Sequence, residues 1–205
     1  MKILLYILSA LTAYLVAGWN PAITFSKAIY KKDIRECGSG NPGFTNFKRS
    51  FGNRWAWFVL LLDLFKAAVV VGISAMLFEQ YFGMYQFGAA FTGLFALLGH
   101  AFPVWYGFKG GKGFLVSLST VLVLDWRVGL MATLIMILLL LTTKYMSLST
   151  VTAMLLCPVF MLLFGTPINA VLIITAIVLF VAIRHKENFK RLVAGTESKF
   201  TVKSH

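Results

Sequence analysis

Three short polar segments carry most of the residue types in this chain that can do chemistry. The first is Gly38-Ser39-Gly40-Asn41-Pro42-Gly43-Phe44-Thr45-Asn46-Phe47-Lys48-Arg49. The second is Gly99-His100-Ala101-Phe102-Pro103, continued by Gly107-Phe108-Lys109-Gly110-Gly111-Lys112-Gly113. The third is Arg184-His185-Lys186-Glu187-Asn188-Phe189-Lys190-Arg191. Glycine lets a backbone approach an anion closely, and successive N–H groups make an anion nest. Arginine and lysine add charge-assisted hydrogen bonds. The combination suits a site for phosphate; the plainer readings are a basic loop, a positively charged turn and, for the third segment, a basic cluster touching anionic lipid. In the third segment a continuing helix puts Arg184, His185, Asn188 and Arg191 on one face, at spacings of three and four. A histidine there can also carry a proton.

Several familiar chemistries are excluded. Gly38, Gly40 and Gly43 fit G-x-G-x-x-G, but a dinucleotide site needs a strand before that motif. Here an apolar helix and a basic linker precede it. The second segment is not a phosphate loop of the G-x-x-x-x-G-K-[ST] type. That pattern needs glycine at Tyr106 and a hydroxyl residue at Gly113. Cys37 and Cys157 make no C-x-x-C pair, and His100, His185 and His205 have no carboxylates at ligand spacing. No metal, cofactor or nucleic acid is expected. An H-x4-D histidine–aspartate pair is also missing: Trp105 and Lys190 stand five residues after His100 and His185.

The elements that position these segments are apolar helices. The chain has 205 residues, 59% hydrophobic and 13% charged, against ~25% charged in an ordinary soluble domain. Seven apolar stretches are legible: Ile3–Trp19, Trp55–Phe78, Tyr85–Phe102, Phe114–Leu124, Val128–Thr142, Leu148–Phe164 and Pro167–Ile183. A spanning helix needs ~20 such residues, so Phe114–Leu124 is short and Val128–Thr142 marginal. Lys2 and the run ending at Ala17-Gly18 also resemble a signal peptide; a retained first helix is the preferred reading.

With seven crossings, sixteen of the nineteen basic residues fall on one side, among them Lys27, Arg49, Lys112, Lys144, Arg191 and Lys203. Lys2 and Arg127 fall on the other, and Lys66 lies within the second stretch, three residues after Asp63. The positive-inside rule makes the crowded side cytoplasmic. The expected fold is all-α: one polytopic domain over 1–205, seven transmembrane helices, N-terminus outside, C-terminus cytoplasmic. The polar segments then share the cytoplasmic face. Asn41-Pro42 reads as a helix start, with Phe44, Phe47 and Phe51 on one face resting on the membrane surface. Ser147 and Ser149 sit at the turn after Lys144, as caps or as ligands. At this level two functions compete: an enzyme acting on a lipid-like phosphate, and a transporter of an organic phosphate. No internal repeat is evident, and the glycine-rich segments lie at the membrane edge, which favours the enzyme.

The three segments, in this order, resemble the PlsY family of integral-membrane glycerol-3-phosphate acyltransferases. The matching residues are Gly38-Ser39-Gly40-Asn41, Gly43, Thr45-Asn46 and Arg49, then Leu60–Lys66, then Gly99-His100, Phe102-Pro103 and Lys109–Gly113. Last come Arg184-His185, Glu187-Asn188, Arg191-Leu192, Gly195 and Glu197. Phe44, Phe114-Leu115 and Lys186 depart from the usual pattern, and the first two bear on acyl-pocket shape.

The resemblance implies transfer of a long acyl chain from an acyl phosphate to the 1-hydroxyl of glycerol 3-phosphate. The products are lysophosphatidate and phosphate, and the reaction opens phospholipid synthesis at the bacterial inner membrane. A soluble transacylase supplies the donor, and membrane lipid surrounds the enzyme. It also implies roles. Ser39, Arg49, His185 and Asn188 are the expected catalytic set. Gly40, Asn41, Thr45, Asn46, Lys109, Gly110, Gly111, Lys112, Gly113, Ser147, Ser149 and Glu187 are expected around the substrates. Arg49, Lys109 and Lys112 would hold phosphate, with the Gly110–Gly113 amides as a cradle.

Overall fold

The computed structural model describes residues 2–201, so Lys203 and His205 lie outside the described residues. Within them every regular element is a helix. The helices are α1 (Lys2–Gly18), α2 (Pro21–Tyr30), α3 (Phe44–Phe51), α4 (Asn53–Phe82) and α5 (Tyr85–Ala101), followed by α6 (Phe114–Leu124) and α7 (Trp126–Thr143). Then come α8 (Met146–Leu163), α9 (Ile168–Arg184) and α10 (Lys186–Val193). Each of the seven apolar stretches is a helix. Five helical segments are long and apolar enough to cross a membrane, six if α9 and α10 count as one span bent by 52°. Their outward faces carry large apolar side chains such as Phe65, Leu138, Leu141 and Leu162, as lipid contact requires.

The short helix α6 sits at the centre. Val116 to Val121 are all buried, and α6 packs against α4, α5, α7, α8 and α9. Eleven residues rise only ~17 Å. Asp125 ends it by capping α7: its Oδ1 accepts from Arg127 N at 3.0 Å and its carboxylate pairs with the Arg127 guanidinium at 2.7 Å. Small residues let the backbones close up. A Cβ on Gly93 would stand 2.1 Å from Thr120 Cγ2. Thr92, Ser74 and Ser9 make a hydrogen-bonded chain across α5, α4 and α1, at 2.9 and 2.6 Å, a modest ~0.6 kcal/mol each in membrane interiors.

Two expectations are corrected. The helix start read at Asn41-Pro42 lies elsewhere. Asn20-Pro21 has that chemistry instead: Asn20 Oδ1 accepts from Ile23 N at 3.0 Å and Pro21 opens α2. Pro42 is followed by Gly43 in extended conformation, and α3 begins at Phe44. Phe44, Phe47 and Phe51 do share a face, but it does not rest on lipid. Phe47 is fully buried with Ile23, Ala56 and Val59, and Phe51 stacks on Tyr30 at 4.4 Å. The arch between α2 and α3 thus has its own small core.

Candidate active site

A cavity of about 660 Å³ opens where four chain passages meet: the arch before α3, the entry to α6, the turn into α8, and the α9–α10 bend. Its lining has two halves. One is polar: Ser39, Asn41, Thr45, Arg49, Lys112, Ser147, His185, Asn188, Arg191 and Glu197. The other is apolar: Phe44, Leu60, Leu64, Phe114, Leu115, Leu118, Met136 and Met146.

The arch is shaped by Asn46. Its Oδ1 accepts from Ser39 N at 2.9 Å, and its Nδ2 donates to the carbonyls of Cys37 (2.9 Å) and Ile34 (3.3 Å). Gly38 and Gly40 take left-handed conformations there, φ 54° and 72°, which glycine adopts without strain. Asn46 and Gly40 therefore hold Ser39 in place, while Ser39, Asn41, Thr45 and Arg49 face the cavity. Arg35 ties the arch to the second segment through Tyr106 O at 2.9 Å. The bonds that the Arg35 side chain makes to Asp33 keep the Asp33 carboxyl well below the usual range, against the opposing effect of burial.

The second segment is only partly as expected. Gly110 N donates to Ala101 O at 3.1 Å and Gly111 N to His100 O at 3.2 Å. These amides are used inside the fold, so the cradle does not include them. Lys109 is exposed and outside the cavity lining, because the chain turns over between Phe108 and Gly110. Lys112 is the lysine that enters. Its ammonium donates to Asn188 Oδ1. Burial pushes its pKa down to about 8; Arg191, Arg184 and Arg49 push the same way and Glu197 opposes them. Gly113, at φ 89°, caps α6 and aims the helix start at the cavity.

The third segment does not continue α9 straight. The chain bends at His185. His185 Nδ1 lies 2.8 Å from Val181 O. A carbonyl only accepts, so Nδ1 carries the proton and Nε2 is left as an acceptor. The bend takes Arg184 out of the shared face: its guanidinium donates to Gly110 O (3.3 Å) and Gly111 O (3.0 Å) and lies over the Phe102 ring. Glu187 is exposed and pairs with Lys190 at 3.1 Å, so it is not at the cavity. Ser149 is also removed. Its hydroxyl bonds back to Tyr145 O at 2.8 Å within α8, whereas Ser147 faces the cavity and donates to Glu197 Oε1 at 2.9 Å.

Glu197, matched by the resemblance but not among the expected site residues, lines the cavity. Oε1 also accepts from Asn188 Nδ2 at 2.7 Å, and Oε2 accepts from Arg191 Nε at 2.8 Å. Burial acts to raise its pKa, but these three donors outweigh it and the carboxyl is lowered. Gly195, at φ 69°, turns the chain after α10, and the amides of Thr196 and Glu197 close on Arg191 O. That glycine stop is a local signal in the sequence that the chain turns back. Asp63 and His100 form part of the deep wall. Among the described residues no three His, Cys, Asp or Glu side chains group as metal ligands.

Over residues 7–195 the chain matches the family model described as glycerol-3-phosphate acyltransferase. It is 36% identical over 191 residues to the glycerol-3-phosphate acyltransferase of Aquifex aeolicus, covering 92% of this chain and 95% of that one. With the Rhodopseudomonas palustris enzyme of the same name it shares 37% over 199 residues, 97% and 98% of the two chains. The crystal structure of PlsY, an integral membrane glycerol 3-phosphate acyltransferase, in its glycerol 3-phosphate form superposes with a TM-score of 0.85 at 34% identity, over 96% of both chains. The lysophosphatidic acid form of PlsY gives the same score at 32% identity, over 96% of this chain and 95% of that one. Fold and cavity thus define an integral-membrane acyltransferase, and the transporter alternative falls away. The chain belongs to the PlsY family of glycerol-3-phosphate acyltransferases.

Proposed function

We propose that the enzyme transfers the acyl group of a long-chain acyl phosphate to the 1-hydroxyl of glycerol 3-phosphate, releasing lysophosphatidate and phosphate. One observation carries this reading. A single cavity is lined both by the cations Arg49, Lys112 and Arg191 and by apolar side chains of α4, α6 and α7. Both substrates carry phosphate and only the donor carries an alkyl chain, so the two halves fit the pair.

In this reading Arg49 and Lys112 take the phosphates, helped by the Ser39 and Thr45 hydroxyls. Asn188, held by Lys112 and Glu197, orients the acceptor. The 1-hydroxyl attacks the carbonyl carbon, the carbonyl–oxygen bond to phosphate breaks, and phosphate leaves. An acyl phosphate is a mixed anhydride, so no serine nucleophile is needed. Catalysis is mainly positioning and electrostatic stabilisation of the oxyanion and leaving group. The hydroxyl proton passes to a substrate phosphate, whose second pKa of ~6 makes it a competent base. His185 Nε2 orients rather than abstracts.

We further place all seven apolar helices across the bacterial inner membrane as one domain. Lys2 over Phe82 and Arg127 over Phe164 lie away from the cavity end. The basic, cavity-bearing end is then cytoplasmic, where a soluble transacylase can deliver the donor. With purified protein, palmitoyl phosphate and glycerol 3-phosphate should yield phosphate and lysophosphatidate in equal amounts. Phosphate release without lysophosphatidate would reject the transfer.

A further inference from the structure

Asp63, Lys66 and His100 form a buried cluster that the reaction above leaves without a part. Lys66 Nζ lies 2.8 Å from Asp63 Oδ1, donates to Trp19 O at 2.5 Å, and stands 3.2 Å from His100 Nδ1. The three residues are 1%, 6% and 4% exposed. Charges at this depth are expensive, and removing one partner leaves the other uncompensated. An ammonium only donates, so His100 Nδ1 accepts and Nε2 carries the proton. Lys66 thereby fixes both the tilt and the tautomer of the His100 ring.

The face of His100 away from Lys66 supports the second segment. Gly111 lies so close that a Cβ there would stand 2.3 Å from His100 Nε2. A Cβ on Gly110 would stand 2.0 Å from His100 O and 2.6 Å from Pro103 Cδ. Gly111 N is itself bonded to His100 O. Two successive glycines are needed because the ring and carbonyl of His100 occupy the space of two side chains. Arg184 holds the same two residues by their carbonyls. The next residue is Lys112.

We propose that Asp63, Lys66 and His100 are positioning residues. They set the seat on which Gly110-Gly111 lie, and through it the place of the Lys112 ammonium in the cavity. The inference rests on reading Lys112 as a phosphate ligand. It gives the buried ion pair a part in substrate affinity.

The test separates KM for glycerol 3-phosphate from kcat, with the folded fraction fixed by thermal unfolding. His100→Leu removes the acceptor, His100→Asn keeps one near Nδ1, and Gly111→Ala disturbs the seat while leaving the cluster intact. Lys112→Met is the reference. His100→Leu and Gly111→Ala should raise KM about 10-fold, the scale of one charge-assisted hydrogen bond, with kcat changed less than about threefold. His100→Asn should stay near the parent. If Lys112→Met raises KM while both His100→Leu and Gly111→Ala leave it unchanged, the positioning role is overturned. If His100→Leu does not fold, Gly111→Ala decides alone. If Lys112→Met itself leaves KM unchanged, the reading of Lys112 fails first, and this inference with it.

Discussion

Asn188 stands between a cation and an anion: its Oδ1 accepts from the Lys112 ammonium, and its Nδ2 donates to Glu197 Oε1 at 2.7 Å. The orientation of the amide is fixed by that pairing, since only one flip puts oxygen toward Lys112 and nitrogen toward Glu197. Glu197 in turn collects Ser147 and Arg191. The start of α8 and α10 are thus locked around one carboxylate, and Lys112 joins them through Asn188.

Removing that carboxylate should loosen all three donors together. Glu197→Ala is expected to lower kcat/KM for glycerol 3-phosphate by about 10- to 100-fold, the range for losing hydrogen bonds to a charged group. Glu197→Gln keeps the shape and should fall between that and the parent. Steady-state kinetics on the two variants check the order.

Arg49 and His185 should behave differently. Arg49→Ala is expected to lower kcat by about 10²- to 10³-fold, as for a lost electrostatic stabiliser. His185→Gln keeps an acceptor near Nε2 and should cost only a few-fold in kcat. A loss near ~10⁴ in His185→Gln would make the histidine the base and sink the substrate-phosphate route.

The alkaline side of the pH profile should belong to Lys112. Its pKa is lowered to about 8, chiefly by burial. Below that pH the ammonium is charged and can bind phosphate; above it the charge is lost. So kcat/KM should fall as pH rises through about 8. The stability effect has the opposite sign. Above that pH the unfolded chain still holds the proton that the folded one has lost, so stability at this group rises until the free lysine also titrates. Lys112→Arg should remove the alkaline fall, because guanidinium stays charged.

Two pairs of like residues should separate. Ser147→Ala is expected to lower kcat/KM several-fold, and Ser149→Ala, whose hydroxyl only bonds back along its helix, should change it less than about twofold. Lys109→Ala should likewise be silent while Lys112→Met is not. Parallel assays of the four variants check this.

Much of this was legible without coordinates. Apolar run length alone located the seven helices. Charge placement and glycine spacing marked the three segments that converge. What escaped depended on chain direction over a few residues. Ser147 and Ser149 share a turn, and only the rotation of α8 decides which enters the cavity. Lys109 stands exposed directly after the turn at Phe108, φ 59°, and Lys112 three residues on at the entry to α6. Gly110 and Gly111 read as a nest, but close packing on His100 had already claimed their amides. Glu187 was the nearest carboxylate in the motif, yet the bend at His185 turned it outward and the Gly195 stop brought Glu197 back instead. Asn20-Pro21 and Asn41-Pro42 carry the same start signal, and the glycine after Pro42 separates them.

We read the donor as an acyl phosphate whose phosphate meets the cavity's cations. The most direct test supplies the purified protein with glycerol 3-phosphate and, in parallel, palmitoyl phosphate or palmitoyl-CoA, without added metal, and follows lysophosphatidate. Product from the acyl phosphate and none from the thioester is the predicted result. Product from palmitoyl-CoA with none from palmitoyl phosphate would contradict it.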